Sequence, residues 1–173
     1  MYVFSRFDLK GLYTTLDAER RARGLSWIDL ATEINEPFDG TPSIPISVAT
    51  IRGIPRKRSV TSAVVLQVLR WLRRSPESFL TGGSAARSPE GMLPEPGLSR
   101  VLRLDTKALH AALDAERKMR GLTWEEVASE LPGLTVSMLR NPSTGPLIGF
   151  PRVMMLTQWL RLPVSNFVRD HAR

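Results

Sequence analysis

The sequence contains no cysteine among its 173 residues, so disulfide bonds and thiolate metal sites are excluded. It has only two histidines, His110 and His171, and neither is spaced from a nucleophile or a second metal ligand in a pattern that predicts catalysis. A phosphate-binding glycine loop of the Gly-x-x-x-x-Gly-Lys-Ser/Thr type is also missing. The sequence therefore predicts no enzymatic activity, no cofactor and no metal site.

Long apolar runs are absent as well. No stretch reaches the roughly 20 apolar residues that a membrane-spanning helix needs. The apolar opening at residues 1–4 reaches Arg6 and Asp8 too soon to form a signal peptide. We therefore expect a cytoplasmic, nucleoid-associated protein with no membrane partner. The excess charge is positive, since 24 Lys and Arg residues against 17 Asp and Glu residues give +7, and such a balance favours phosphate polymers as partners.

The strongest signal in the sequence is an internal repeat. Residues 6–34 align with residues 103–131, and 15 of the 29 positions are identical. The sequence Leu-Asp-Ala-Glu-Arg occurs in both, at 16–20 and at 113–117. The match resumes later with an offset that is nine residues shorter, for example at Ile51 and Leu139 and at Trp71 and Trp159. The chain is therefore a duplication, and its first copy carries a nine-residue insertion.

The repeat predicts two domains. Residues 1–80 form the first domain, with the insertion at about 35–46, and residues 100–173 form the second. Residues 81–99 are rich in Gly, Ser and Pro and keep no hydrophobic period, which is typical of a flexible linker.

Each copy is predicted to be helical. In the first copy, Asp8, Ser26 and Ser47 are N-cap residues, Gly24 ends helix 1, and Gly53 and Pro55 end helix 3. A fourth helix is predicted at about 60–72 and a short fifth one at 75–80. The second copy repeats the plan at 105–120, 123–131, 135–140, 151–160 and 164–168, and neither copy contains a convincing strand.

The order of these signals resembles the λ-repressor/Cro-like (XRE-type) helix-turn-helix family. The residues that carry the resemblance are Arg20, Gly24-Leu25-Ser26, Leu30-Ala31, Ser47 with Thr50-Ile51, and Phe79-Leu80, together with their counterparts in the second copy. The resemblance implies an all-α chain of two tandem five-helix λ-repressor-like helix-turn-helix domains joined by a flexible linker.

The resemblance also implies which residues meet DNA, because in this family helix 3 enters the major groove and the start of helix 2 meets the phosphate backbone. Ile51 and Leu139 are expected to be buried. The expected DNA-binding residues of the first copy are Ser26, Trp27, Val48, Ala49, Thr50, Arg52, Arg56, Lys57 and Arg58. Those of the second copy are Thr123, Trp124, Val136, Ser137, Met138, Arg140 and Asn141.

The sequence departs from the family in two respects. Gly53-Ile54-Pro55 and Asn141-Pro142 break helix 3 early. The Glu that commonly pairs with the helix 1 Arg is missing, which leaves Arg20 and Arg117 to other partners or to DNA.

Several of these residues allow two interpretations. The basic run at 56–58 is either a solvated loop or a phosphate-binding loop beside the recognition helix. Trp27 and Trp124 either cover the seam between helices 1 and 2 or donate an indole N–H to a phosphate. The apolar positions of helix 3, Val48, Ala49 and Met138, either contact thymine methyl groups or form a protein interface.

The sequence predicts a transcriptional regulator that binds double-stranded DNA specifically, with its two copies acting as an internal pseudo-dimer. The first copy is the better candidate reader, because its helix 3 is followed by the basic run and its counterpart is not. The alternative is a protein-interaction adaptor built on helix-turn-helix domains within a nucleoprotein or phage-defence assembly. Association with a protein partner or with a second copy of the chain is left open.

Overall fold

A computed structural model describes residues 3–82, 89–141 and 148–171. Over these residues the chain is mainly helical, with eight α-helices, four short 3₁₀ segments and four short strands. The same order of strands and α-helices occurs twice, once in each copy of the repeat.

The first copy begins with β1, Arg6–Phe7, and ends with β2, Leu80–Thr81. Between them lie four helices: α1 at Leu9–Ala22, α2 at Trp27–Asn35, α3 at Val48–Arg52 and α4 at Ser62–Leu72. The 3₁₀ segments are Glu36–Phe38, Ile54–Arg56 and Pro76–Phe79.

The second copy begins with β3, Val101–Leu104, and ends with β4, Val168–His171. Its helices are α5 at Thr106–Met119, α6 at Trp124–Glu130, α7 at Val136–Arg140 and α8 at Phe150–Leu160. Its 3₁₀ segment is Val164–Phe167.

The helices begin at the predicted caps because short polar side chains accept the free N–H groups of each first turn. Asp8 accepts from the N–H of Gly11 at 2.9 Å, and Ser47 accepts from that of Thr50 at 3.1 Å. Gly24 and its counterpart Gly121 end α1 and α5 with φ of +66°, a conformation that strongly favours glycine. These predicted boundaries are confirmed to within two residues.

The prediction of an all-α chain without strands is wrong. β1 pairs with β2, and β3 pairs with β4, in two separate antiparallel sheets of two strands each. Each sheet joins the beginning of a copy to its end. The predicted fifth helices at 75–80 and 164–168 are 3₁₀ segments of four residues, and the last residue of each prediction, Leu80 and Val168, belongs to a strand instead.

The two copies share one hydrophobic core. α4 of the first copy packs on β3 of the second, and α8 of the second packs on β1 of the first. At the centre of this contact the rings of Phe7 and Phe150 meet edge to face, with their centroids 4.9 Å apart. The backbone N–H of Phe150 donates to the carbonyl of Val60 at 2.8 Å.

Two buried glutamines satisfy backbone groups of the opposite copy, which an apolar side chain in the same place would leave unpaired. Gln67 donates to the carbonyl of Leu102 at 2.8 Å. Gln158 accepts from the N–H of Ser5 at 2.8 Å and donates to its carbonyl at 3.0 Å. Polar side chains on the inner faces of α4 and α8 therefore extend the backbone pairing of β3 and β1.

The insertion of the first copy forms a closed loop against the second copy. The Asn35 side chain donates to the carbonyl of Ile46 at 2.7 Å and accepts from its N–H at 2.8 Å, so one amide closes the loop at its base. Phe38 is buried, and the guanidinium of Arg103 lies 5.8 Å from its ring centroid. The insertion thus adds contact area between the copies.

Residues 81–82 and 89–99 of the predicted flexible linker are described, with Thr81 in strand β2, whereas residues 83–88 lie outside the described chain. Glu77 anchors the described part: its buried carboxylate accepts from the N–H of Gly91 at 2.9 Å and from that of Val164 at 3.2 Å. Burial raises the pKa of Glu77, and the backbone hydrogen bonds oppose that rise. One carboxylate therefore joins the first copy, the connecting segment and the second copy.

A Glu77→Gln variant should change how stability depends on pH. Because the folded pKa of Glu77 lies above the ordinary value of 4.5, its contribution is fully present below that pH and is lost as the pH rises through the folded pKa. The free energy of unfolding of the wild type, relative to the variant, should therefore fall as the pH rises above 4.5. Urea titrations over a pH series measure this, with the exposed Glu95→Gln as the control, and parallel curves for wild type and Glu77→Gln would contradict it.

No helix in the described ranges is long and apolar enough to cross a membrane.

Candidate nucleic-acid interface

The joint between α1 and α2 is built around an arginine and a tryptophan. The guanidinium of Arg20 donates to the Asp17 carboxylate at 2.8 and 3.0 Å and to the carbonyl of Leu25 at 2.7 Å. It lies 4.4 Å from the ring centroid of Trp27, and the ring of Tyr13 stacks on the same indole at a centroid distance of 5.6 Å. The joint is held by charge-assisted hydrogen bonds and ring stacking, so α2 begins at a fixed position.

The second copy repeats this joint with one change. Arg117 donates to Asp114 and to the carbonyl of Leu122, and it lies 5.0 Å from the ring centroid of Trp124. His110 replaces the stacked tyrosine, with its ring centroid 5.5 Å from that of Trp124. Hydrogen bonds from Lys118 and Arg117 hold the pKa of Asp114 below its usual range.

These contacts answer the question that the sequence left open for Arg20 and Arg117. Each binds the aspartate three residues before it and the backbone that follows its helix, so neither is left to DNA. The half-buried indoles of Trp27 and Trp124 lie at the seam between the first two helices of each copy, which favours packing over phosphate binding.

The starts of α2 and α6 are closed by their own side chains. Ser26 and Asp29 form a reciprocal capping box, as do Thr123 and Glu126. The hydrogen bonds from Ser26 lower the pKa of Asp29. In α6 the exposed Glu125 adds a second carboxylate to the first turn. The predicted phosphate-facing end of the second copy is therefore the more acidic of the two.

The short helices α3 and α7 each bury one side chain and expose the opposite face. Ile51 and Leu139 are at most 1% exposed, as predicted. On α3 the exposed or half-exposed residues are Val48, Ala49, Thr50 and Arg52. On α7 and just after it they are Val136, Ser137, Met138, Arg140 and Asn141. The structure thus places the expected base-reading positions on accessible surfaces.

The basic run of the first copy continues this surface. Arg56, Lys57 and Arg58 are all exposed, and none forms an ion pair with a carboxylate in the described ranges. The guanidinium of Arg52 lies 5.4 Å from the ring centroid of Trp27, which ties the end of α3 to the start of α2. Four cations therefore follow one another along the edge of the helix pair.

A basic cleft lies beside the run. It has a volume of about 740 Å³ and is lined by Arg6 and Lys10, on β1 and the start of α1, and by Lys57 and Arg58 on the facing loop. Sequence reasoning missed Arg6 and Lys10, because only the fold brings them next to residues almost fifty positions away. The one available signal was their repetition as Arg103 and Lys107.

The corresponding surface of the second copy differs in charge. Arg140 lies 4.0 Å from the carboxylate of Glu125. Arg103 is half-buried beneath Phe38 and donates to the carbonyl of Leu102, and burial lowers its pKa. The stretch that matches the basic run falls mostly within residues 142–147, outside the described chain. Among the described counterparts of the basic surface in the second copy, Arg140 therefore lies near a carboxylate and Arg103 is covered, whereas Lys107 remains exposed.

A second concave surface of the first copy is apolar with an acidic rim. This groove, of about 460 Å³, runs between α2, the insertion and the start of α3. Ile28, which is 72% exposed, lines it together with Ile46 and Val48. The rim carries the carboxylates of Glu33, Glu36 and Asp39.

The described residues include no group of three or more His, Asp or Glu side chains able to hold a metal ion. Comparisons with protein-family models, with curated proteins and with solved structures found no match to the chain. The functional argument therefore depends on the surfaces described above.

Proposed function

We propose that this chain is a sequence-specific, double-stranded DNA-binding transcriptional regulator. Its two copies act as tandem helix-turn-helix domains of the λ-repressor type, each with four α-helices and a 3₁₀ segment in place of the fifth, joined as an internal pseudo-dimer. The observation that carries the proposal is the basic run Arg56–Arg58, which forms no ion pair within the described ranges and begins four residues after the end of a short capped helix whose outer face is accessible. Binding to chromosomal DNA would place the protein at the nucleoid, in the cytoplasm.

Affinity would come chiefly from the cations of the first copy. Each Lys or Arg that neutralises a phosphate releases condensed counterions, so binding should weaken steeply with salt. Preference for a sequence would come from α3, where Arg52 is able to donate two hydrogen bonds to a guanine edge and Val48 or Ala49 to contact a thymine methyl group. The rigid joint at Arg20 supports this role, because it fixes the start of α2 relative to α1.

The second copy would contribute less to binding. Its α6 presents two carboxylates where a phosphate would lie, and one of them is close to Arg140. We therefore expect an asymmetric DNA site in which most base contacts come from α3.

The proposal is tested by binding to a randomised duplex DNA pool at two salt concentrations, followed by sequencing of the bound fraction. We expect an enriched motif and an affinity that falls steeply with salt. A motif of one half-site would show that one copy contacts the bases. Two half-sites about one helical turn apart would show that both copies do. Salt-sensitive binding without a motif would contradict sequence specificity, and no binding at low salt would contradict DNA binding altogether.

The acidic-rimmed groove supports a second candidate function, a protein-interaction adaptor. An exposed isoleucine in a concave apolar surface is typical of a docking site for another protein, and the carboxylates of the rim would repel DNA. Failure to bind DNA at low salt, together with partner binding that Ile28→Glu abolishes, would favour this function over the regulator.

A further inference from the structure

The side chains that line the basic cleft beside α3 are mostly positively charged. Arg6, Lys10, Lys57 and Arg58 line it, while the carboxylate of Asp8, also in the lining, already accepts the N–H of Gly11 at the start of α1. Four cations therefore face one carboxylate that is engaged by its own helix. No ion pair neutralises these cations within the described chain. Such a surface attracts anions.

The shape of the cleft favours a polymer over a small molecule. It is wide, open to solvent and mostly polar, whereas pockets for small ligands are enclosed and largely apolar. It also adjoins the end of α3, since Lys57 and Arg58 follow the 3₁₀ segment Ile54–Arg56 directly. A strand of DNA whose bases meet α3 would run its phosphates past this edge.

We propose that the cleft binds backbone phosphates of duplex DNA, with Arg6 and Lys10 as phosphate-binding residues. This inference rests on the proposed function and adds to it the contacts that set the position of the first copy on the duplex. Phosphate contacts carry no sequence information, so the cleft determines affinity and register, and α3 determines preference.

The second copy provides the matched comparison. Lys107 is the counterpart of Lys10 and is exposed, but the counterpart of Arg6 is Arg103, which lies half-buried against Phe38 of the insertion. The insertion, present only in the first copy, thus covers the second copy's version of this site. The matching position of the second copy is therefore less accessible than the cleft of the first.

The test compares an Arg6→Ala/Lys10→Ala variant with a control of equal charge, Lys118→Ala/Arg169→Ala, in DNA binding at several salt concentrations. All four side chains are exposed, so both variants should fold, which circular dichroism verifies. In the cleft variant we expect roughly a ten-fold or greater loss of affinity, a salt slope lower by about 2, and an unchanged sequence motif. In the control we expect changes within about three-fold.

Each other outcome has a distinct meaning. Equal losses of DNA affinity in the two variants would show that net charge alone causes the effect, and this would overturn the inference. Wild-type affinity in the cleft variant would also overturn it. A changed motif would also overturn it, since phosphate contacts do not select bases. No binding by the wild type would overturn the proposed function itself. Pyrophosphate binding at matched ionic strength distinguishes a free anion from DNA: pyrophosphate that binds the wild type and not the cleft variant, while both bind DNA with equal affinity, would assign the site to the small anion and overturn the inference.

Discussion

Replacing Phe150 by alanine is expected to destabilise the whole chain by about 3–5 kcal/mol, the usual cost of removing a fully buried phenylalanine. Its side chain is 0% exposed, and its nearest aromatic neighbour, Phe7, belongs to the other copy. The cavity would therefore open between the copies. Because one core includes residues of both, we expect both copies to lose stability together.

Urea unfolding followed by hydrogen exchange on peptides of each copy measures this effect. Wild type and variant should each show one transition, and the exchange protection of α1 and α4 should fall as much as that of α5 and α8. Met119→Ala is a suitable control, since Met119 is 84% exposed and contributes little to the core. Two separate transitions, with protection lost in the second copy alone, would instead show independent domains on a linker.

The parts of the fold that sequence reasoning predicted are those with local signals. N-cap side chains lie three residues from the N–H groups that they accept, and Gly24 and Gly121 supply a conformation that few other residues adopt. Such signals require no knowledge of distant residues. The helix boundaries were therefore predicted closely in both copies.

The parts of the fold that sequence reasoning missed depend on residues far apart in the chain. β1 and β2 contain two residues each, too few for an alternating pattern, and they pair across more than seventy positions. The contact between Phe7 and Phe150 crosses from one copy to the other, and a repeat alone does not reveal how its copies pack. The role of Glu77 was missed for the same reason, because the two backbone N–H groups that its carboxylate accepts lie in the linker and in the second copy.

The residues of the candidate site also divide into those found from local sequence and those that only the fold brings together. The run Arg56–Arg58 was found because it follows α3 directly in sequence. Arg6 and Lys10 were missed because they reach the same surface through the folding of β1 and α1 onto the loop. Arg20 was left without a partner because the family's usual glutamate was sought, whereas Asp17 lies one turn earlier on the same helix.

The largest functional effect is expected from removing the basic edge of the first copy. In a variant that carries Arg52→Ala, Arg56→Ala, Lys57→Ala and Arg58→Ala, DNA affinity should fall by roughly two orders of magnitude or more. Four lost phosphate or base contacts would lower the salt slope by about 3 to 4. All four side chains are exposed, so helicity should be unchanged. Fluorescence anisotropy with a selected duplex, over a salt series, measures both quantities.

A control of equal charge separates local contacts from net charge. Alanine at Arg21, Lys118, Arg161 and Arg169 removes four exposed cations that lie outside the proposed interface. If net charge alone attracted DNA, both variants would lose affinity to the same extent. Both losses would also vanish at high salt, because interactions between exposed charges are screened beyond about 10 Å at 0.1 M salt. If the first copy reads DNA, the loss at 52–58 should be larger than that of the control at each salt concentration, and only that variant should change the motif, since Arg52 alone of these residues lies on α3. Wild-type affinity in the 52–58 variant would remove the first copy as the reader and leave the surface of α7 as the remaining candidate.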